Sequence, residues 1–159
     1  MGLATKPKGC VGCPAYDKGL GFVPPEGRGS TVFLGQGPGE SEAYSSRPFH
    51  PNAPSGRLLT RWMNRAGYQR TEVRIGNVIQ CFVRKGRKSR DPTPAETQWC
   101  WNAHVGPWLH KLKPELIFTV GAPATRWLKQ LPPTKAVEAQ LGTVESVELP
   151  PLGENSGKP

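Results

Sequence analysis

Apolar runs in this chain are short, and long polar stretches rich in glycine and proline separate them. Thr31–Leu34 predicts a β-strand that empties into Gly35-Gln36-Gly37-Pro38-Gly39-Glu40-Ser41-Glu42, a glycine turn carrying acids. Val73–Ile79 predicts a second strand, with the polar Asn77 set among β-branched neighbours. Leu116–Val120 predicts a third, again ending in glycine at Gly121, and the alternation over Thr143–Leu149 predicts a fourth.

Helical periodicity lies between these runs. Gly56–Ala66 predicts a helix ended by Gly67, with Leu58, Leu59, Trp62 and Met63 on one face and Arg57, Arg61 and Arg65 on another. Thr93-Pro94-Ala95-Glu96 is a strong helix start: Thr93 caps, Pro94 fits the first position and Glu96 closes a capping box. That helix carries Trp99, Cys100 and Trp101, and Gly106-Pro107 should kink or split it. Ala124–Leu131 predicts a short helix closed by Pro132-Pro133. Gly19–Ser30 and residues 43–56 read as loops, the second because three prolines interrupt it. The βαβαβα order predicts an α/β fold with a parallel sheet between helices. In such sheets ligands bind beyond the carboxyl ends of the strands, where the glycine turn would sit.

Composition bounds the rest. The chain has 159 residues, enough for one domain with a modest core. No apolar run is long enough to span a membrane, and no signal core opens the sequence. A cytoplasmic protein without a membrane partner is expected. The net charge of +9 is unevenly spread. Arg57 to Arg90 holds ten basic residues and one acid, Glu72, and the remainder is balanced. A localised positive field suits a polyanion, most simply nucleic acid. The basic run Arg84-Lys85-Gly86-Arg87-Lys88-Ser89-Arg90 reads as a loop without an apolar anchor.

Cys10 and Cys13 form a C-x-x-C, and Cys81 and Cys100 stand alone, 18 residues lying between them. In a cytoplasmic chain four such cysteines suit zinc or an iron–sulfur cluster better than disulfides. Buried core cysteines at 81 and 100 are the plainer alternative.

The ordered series Gly35-Gln-Gly-Pro-Gly-Glu-Ser-Glu42, Arg47-Pro-Phe49, Gly56-Arg-Leu-Leu59, Gly76-Asn-Val-Ile-Gln-Cys81, Arg90-Asp-Pro-Thr-Pro-Ala-Glu96, Cys100 and Pro114-Glu-Leu-Ile-Phe-Thr-Val-Gly-Ala-Pro-Ala124 resembles the family 4 uracil-DNA glycosylases over roughly residues 8–130. The resemblance implies a three-layer fold with a four-stranded parallel sheet between helices. It implies a structural 4Fe–4S cluster on Cys10, Cys13, Cys81 and Cys100. It also implies hydrolysis of the N-glycosidic bond of deoxyuridine, flipped out of single- or double-stranded DNA.

By the same resemblance Phe49 stacks on uracil, Asn77 hydrogen-bonds its edge, and the backbone around Gly37 approaches base and sugar. The acid of the family's opening motif is replaced here by Gln36. Glu42 is then the leading carboxylate, with Glu40 second. Arg84, Lys85, Arg87, Lys88 and Arg90, with the Arg57/Arg61/Arg65 stripe, are candidates for DNA phosphate contact. The family's later His-Pro-(Ser/Ala) motif is absent from these residues and is expected to begin just past residue 159, in a single domain truncated at its C-terminus. The expected assembly is a monomer. An alternative is a catalytically weak or inactive nucleic-acid-binding module with an iron–sulfur or zinc centre. A nucleotide-phosphate site is disfavoured, because the turn lacks the Gly-Lys-Ser/Thr of a P-loop.

Overall fold

The computed structural model describes residues 3–86, 88–131 and 144–153. A 3₁₀ turn over Lys8–Cys10 precedes β1 (Gly19–Leu20), β2 (Glu26–Gly27) and β3 (Thr31–Gly35). Then come α1 (Glu40–Ser45), α2 (Pro54–Arg65), β4 (Arg74–Asn77), β5 (Phe82–Lys85) and β6 (Lys88–Ser89). The chain continues through α3 (Pro94–Cys100), a π-helical segment (Trp101–Val105), α4 (Gly106–Leu112), β7 (Leu116–Thr119) and α5 (Ala122–Leu128).

The main sheet has four strands in the order β2-β4-β3-β7. The last three are parallel, and β2 pairs antiparallel with β4. A four-stranded α/β sheet is therefore present, but it is mixed where a wholly parallel one is expected: its fourth strand, Glu26–Gly27, runs antiparallel and comes from a stretch expected to be loop. Over Val144–Leu149 no strand forms, and Thr143 lies outside the described residues. The alternation there buries little: Val144 and Val147 are both exposed. Gly27 allows the β2 pairing. Its φ is +90°, and a Cβ there would lie 1.9 Å from the Val73 carbonyl oxygen.

Strand alternation splits the core between two layers. Val32 and Leu34 pack with Trp101, Val105, Leu109, Ala124 and Leu128. Phe33 and Ile75 face Leu59 and Met63 of α2, together with Phe49 and Val73. Burying a side chain such as Leu59 or Met63 contributes about 2 kcal/mol, which fixes α2 under the sheet. Leu58 and Trp62, expected on that apolar face, are exposed, because the buried stripe is narrower than the sequence pattern. Pro54 stands at the first helical position of α2, so the third proline of the supposed loop opens a helix. Ala122 likewise begins α5 earlier than the sequence pattern indicates.

The capping box at Thr93 forms as expected. Glu96 N–H donates to Thr93 Oγ1 at 3.3 Å, and Thr93 N–H to Glu96 Oε2 at 2.8 Å. The helix that follows is interrupted before Gly106-Pro107 by a π-helical turn, without ending. The basic run after Cys81 is a hairpin, not a loop. Phe82 and Val83 are buried and anchor it, β5 pairs with β1 on one side, and β6 folds back on the other. No described helix is long and apolar enough to cross a membrane.

Candidate active site and thiol cluster

The carboxyl ends of β3 and β4 lie side by side, with Gly35 in register with Asn77. A Cβ on Gly35 would stand 2.5 Å from the Phe49 ring and 2.6 Å from Asn77 Oδ1. Glycine at 35 therefore lets the ring and the amide both come against the β3 backbone. Asn77 is 1 % exposed, and neither its Oδ1 nor its Nδ2 has a hydrogen-bond partner among the described residues. An unmet buried amide costs about 1–3 kcal/mol for each group left without a partner. The amide presents an acceptor and a donor together.

Phe49 is held with unusual force. Its φ is +47°, a conformation that a non-glycine residue rarely adopts. Glu42, buried on α1, explains how it persists. One carboxylate oxygen accepts the Phe49 N–H and the other accepts the Gly39 N–H at 2.6 Å, so this side chain ties the glycine turn to the aromatic loop. Gly56 closes the other side, because a Cβ there would meet the Phe49 and His50 carbonyl oxygens at 2.4 and 2.0 Å. Arg70 Nη2 donates to the Pro48 carbonyl at 2.5 Å. Glu26 bridges Arg47 and Arg70 at 3.0 and 2.5 Å. Burial pushes the Glu26 carboxyl up, but the two arginine hydrogen bonds outweigh it and leave it below the usual carboxylate range. Sequence reasoning passed over Glu26 and Arg70 because each meets the aromatic loop only through the fold.

Gln36 is half-buried, and its Nε2 donates to Asp91 Oδ1 at 3.2 Å. Gly37 packs against Ile79, where a Cβ would approach the side chain to 2.7 Å. Gln36, Val78 and Asp91, with Pro92, Pro94 and Thr97, line part of a cavity of about 580 Å³ at this end of the sheet. The three histidines have other contacts. His104 Nε2 lies 3.2 Å from Cys10 Sγ, His110 Nε2 lies 3.1 Å from the Pro150 carbonyl, and His50 Nδ1 accepts the Asn52 N–H.

The chain belongs to the uracil DNA glycosylase superfamily. That family's model matches residues 21–155. The chain is similar to the type-4 uracil-DNA glycosylase of Thermotoga maritima, 34% identical over 124 residues, which cover 77% of this chain and 62% of the relative. The type-4 uracil-DNA glycosylase of Archaeoglobus fulgidus is 32% identical over 124 residues, covering 77% of this chain and 59% of the relative. That of Saccharolobus solfataricus is 30% identical over 129 residues, covering 79% and 57%. The chain thus spans about three-fifths of the length of the curated relatives it matches.

In this member of the superfamily the four cysteines are free thiols on separate elements that converge. Cys10 and Cys13 flank the N-terminal turn, Cys81 precedes β5 and Cys100 ends α3. Burial first, and then the neighbouring cysteines, push Cys81 up to about 12 and Cys100 well above the ordinary thiol range. Cys10 rises to about 11 by burial and the charge of Cys13. Burial raises Cys13 too. The Gln80 N–H donates to Cys100 Sγ at 3.2 Å and the Ala15 N–H to Cys13 Sγ at 3.4 Å. Among the described residues, no three His, Cys, Asp or Glu side chains close tightly around a single ion.

The basic candidates divide. Arg90 is committed to the buried Glu96, with nitrogen–oxygen distances of 2.6 and 2.7 Å. This holds the Glu96 carboxyl down at about 2. Lys85 and Lys88 face one another across the β5–β6 hairpin, and neither is in an ion pair among the described residues. Arg84 lies beside them opposite Ser89, and Arg87 lies outside the described residues. Arg57, Arg61 and Arg65 are exposed and, with Pro51, line a shallow groove of about 510 Å³.

Proposed function

We propose that this chain is the base-recognising part of a DNA-repair glycosylase that releases free uracil by hydrolysing the deoxyuridine N-glycosidic bond. The observation that carries the reading is the buried Asn77 amide, unmet at both ends and set against the Phe49 ring. A flipped pyrimidine stacks on the ring and meets donor and acceptor on its edge. The same amide stabilises the negative charge that develops on the departing uracil. Glu42 serves by holding Phe49 and the Gly35–Gly39 backbone in place. The relatives' names support uracil as the base, and the superfamily supports DNA as the partner. Phosphates run along the Arg57/Arg61/Arg65 groove from Pro51, two residues beyond Phe49, and over the Lys85/Lys88 hairpin.

We further propose that Cys10, Cys13, Cys81 and Cys100 hold a 4Fe–4S cluster in a monomeric, cytoplasmic protein. The donor set fits. Four buried or half-buried thiols that repel one another as anions can be thiolates together only on a cationic centre. The cluster would cross-link the N-terminal turn to β5 and α3, a structural service. An alternative reading, a binding module without catalysis, is favoured by Gln36, which cannot act as an anionic base.

The test uses a uracil-containing single-stranded oligonucleotide. Free uracil should be released by the parent and reduced about 10²–10³-fold in Asn77→Ala, as for loss of one transition-state donor. Binding without release, by a chain shown to be folded, would establish the module instead.

A further inference from the structure

The pocket holds a base well, yet the carboxylate expected to serve the sugar is already engaged. Both oxygens of Glu42 are taken by backbone N–H groups, and its side chain is buried. Glu40 is exposed on the first turn of α1. Gln36, next to the hollow, is neutral. However, its amide reaches across the cleft to Asp91, an exposed carboxylate on the loop before α3. At the rim of the sheet Gly35 and Asn77 face the base hollow, while the next residues, Gln36 and Val78, line the cavity that Asp91 shares. On the glycosylase reading, a nucleotide with its base on Phe49 lays its sugar over that rim.

We propose that Asp91, oriented by Gln36, is the catalytic carboxylate of this site. This inference rests on the glycosylase reading above. As the C1′–N1 bond breaks, its electron pair leaves with uracil N1, and Asp91 stabilises the positive charge growing on the sugar. Water oxygen bonds to C1′, and the water proton passes to the Asp91 carboxylate and then to solvent.

The experiment compares binding of two DNA strands in the presence of uracil. One carries a cationic pyrrolidine abasic analogue and the other a neutral tetrahydrofuran analogue, each read by fluorescence anisotropy. The parent chain should prefer the cation by about tenfold, the value of one favourable charge contact near 1.4 kcal/mol. Asp91→Asn should bring the ratio toward one. The double variant Gln36→Glu with Asp91→Asn should restore it, because it returns one carboxylate and one amide to the same pair in exchanged positions. A parent that binds tetrahydrofuran DNA without preferring the cation, or an Asp91→Asn chain that keeps the preference, overturns the assignment and leaves the glycosylase reading standing. A folded parent that binds neither analogue better than undamaged DNA overturns both.

Discussion

The base hollow and the thiol cluster sit at opposite extremes of how a fold can prepare a site. At the hollow the protein supplies every restraint itself: Glu42 ties Phe49 to Gly39, Arg70 holds Pro48, and Gly56 lets the loop close. The cost is an unmet amide that a ligand repays. At the cluster the protein brings together four groups whose charged forms repel, and sets against them the backbone N–H groups of Ala15 and Gln80 and the His104 ring nitrogen. On the proposed reading, one site is complete before its ligand arrives, whereas the other depends on its cation for stability. The sharpest way to break this comparison is to remove the metal. Cys100→Ser, or oxidative loss of the cluster, should cost ~5 kcal/mol or more and untie the N-terminal turn from α3. About four irons per chain are expected from the four-thiol cluster chemistry. Stoichiometric zinc without iron after anaerobic purification would defeat the cluster.

Removing a restraint at the hollow should do less. Glu42→Ala leaves the Phe49 and Gly39 N–H groups without their partner and Phe49 in a conformation nothing enforces. A loss of about 2–3 kcal/mol in denaturant unfolding is expected, while the iron content stays at the parent value. Loss of iron in this variant would show that the two sites are not independent.

The difference also explains what could be read from the sequence. Three parallel strands, α2 and the Thr93 cap follow from local periodicity and capping chemistry, which act within a few residues. Phe49 and Asn77 came from a resemblance of motifs, and the geometry brings them to one hollow at Gly35. The clamp of Glu26 on Arg47 and Arg70 joins segments 21 and 44 positions apart, and no local pattern announces it. The two-residue strands β1, β2 and β6 were hidden for a related reason, since such short strands exist only by pairing with a neighbour. Leu58 and Trp62 misled because helical spacing marks where a side chain points, not whether anything lies there.

Beside the thiols, the Arg90–Glu96 pair gives an acid-side test. Glu96 titrates at about 2 in the folded chain, because Arg90 hydrogen-bonds it first and Thr93 N–H adds to this against the cost of burial. Its folded value is depressed, so its contribution is present above the unfolded value near 4.5. That contribution disappears as pH falls toward about 2. Unfolding midpoints between pH 6 and pH 3 should fall by an amount worth about 1 kcal/mol, the full linkage value of about 2 kcal/mol being reduced for the partly exposed Arg90. Glu96→Gln should be less stable at neutral pH and flatter over this range. A parallel decline in both proteins would place the acid sensitivity elsewhere, the Glu26 clamp being the next group to examine.

The smallest effect belongs to the exposed charges, and it separates holding DNA from choosing a base. Lys85 and Lys88 are directly opposed across a hairpin, an arrangement that destabilises the free protein slightly and is relieved by an anion laid over both. Replacing both by alanine should leave folding intact or marginally improved. It should weaken binding to every DNA strand alike, with or without uracil. The slope of log affinity against log salt should become shallower by about 1.5 on a single strand, the share of two phosphate contacts. Asn77→Ala should do the reverse, leaving the slope unchanged while erasing the distinction between uracil and cytosine strands, whose edges exchange donor and acceptor. If the lysine pair instead altered that distinction, the hairpin would be part of base recognition, and the boundary between positioning and reading drawn here would have to move.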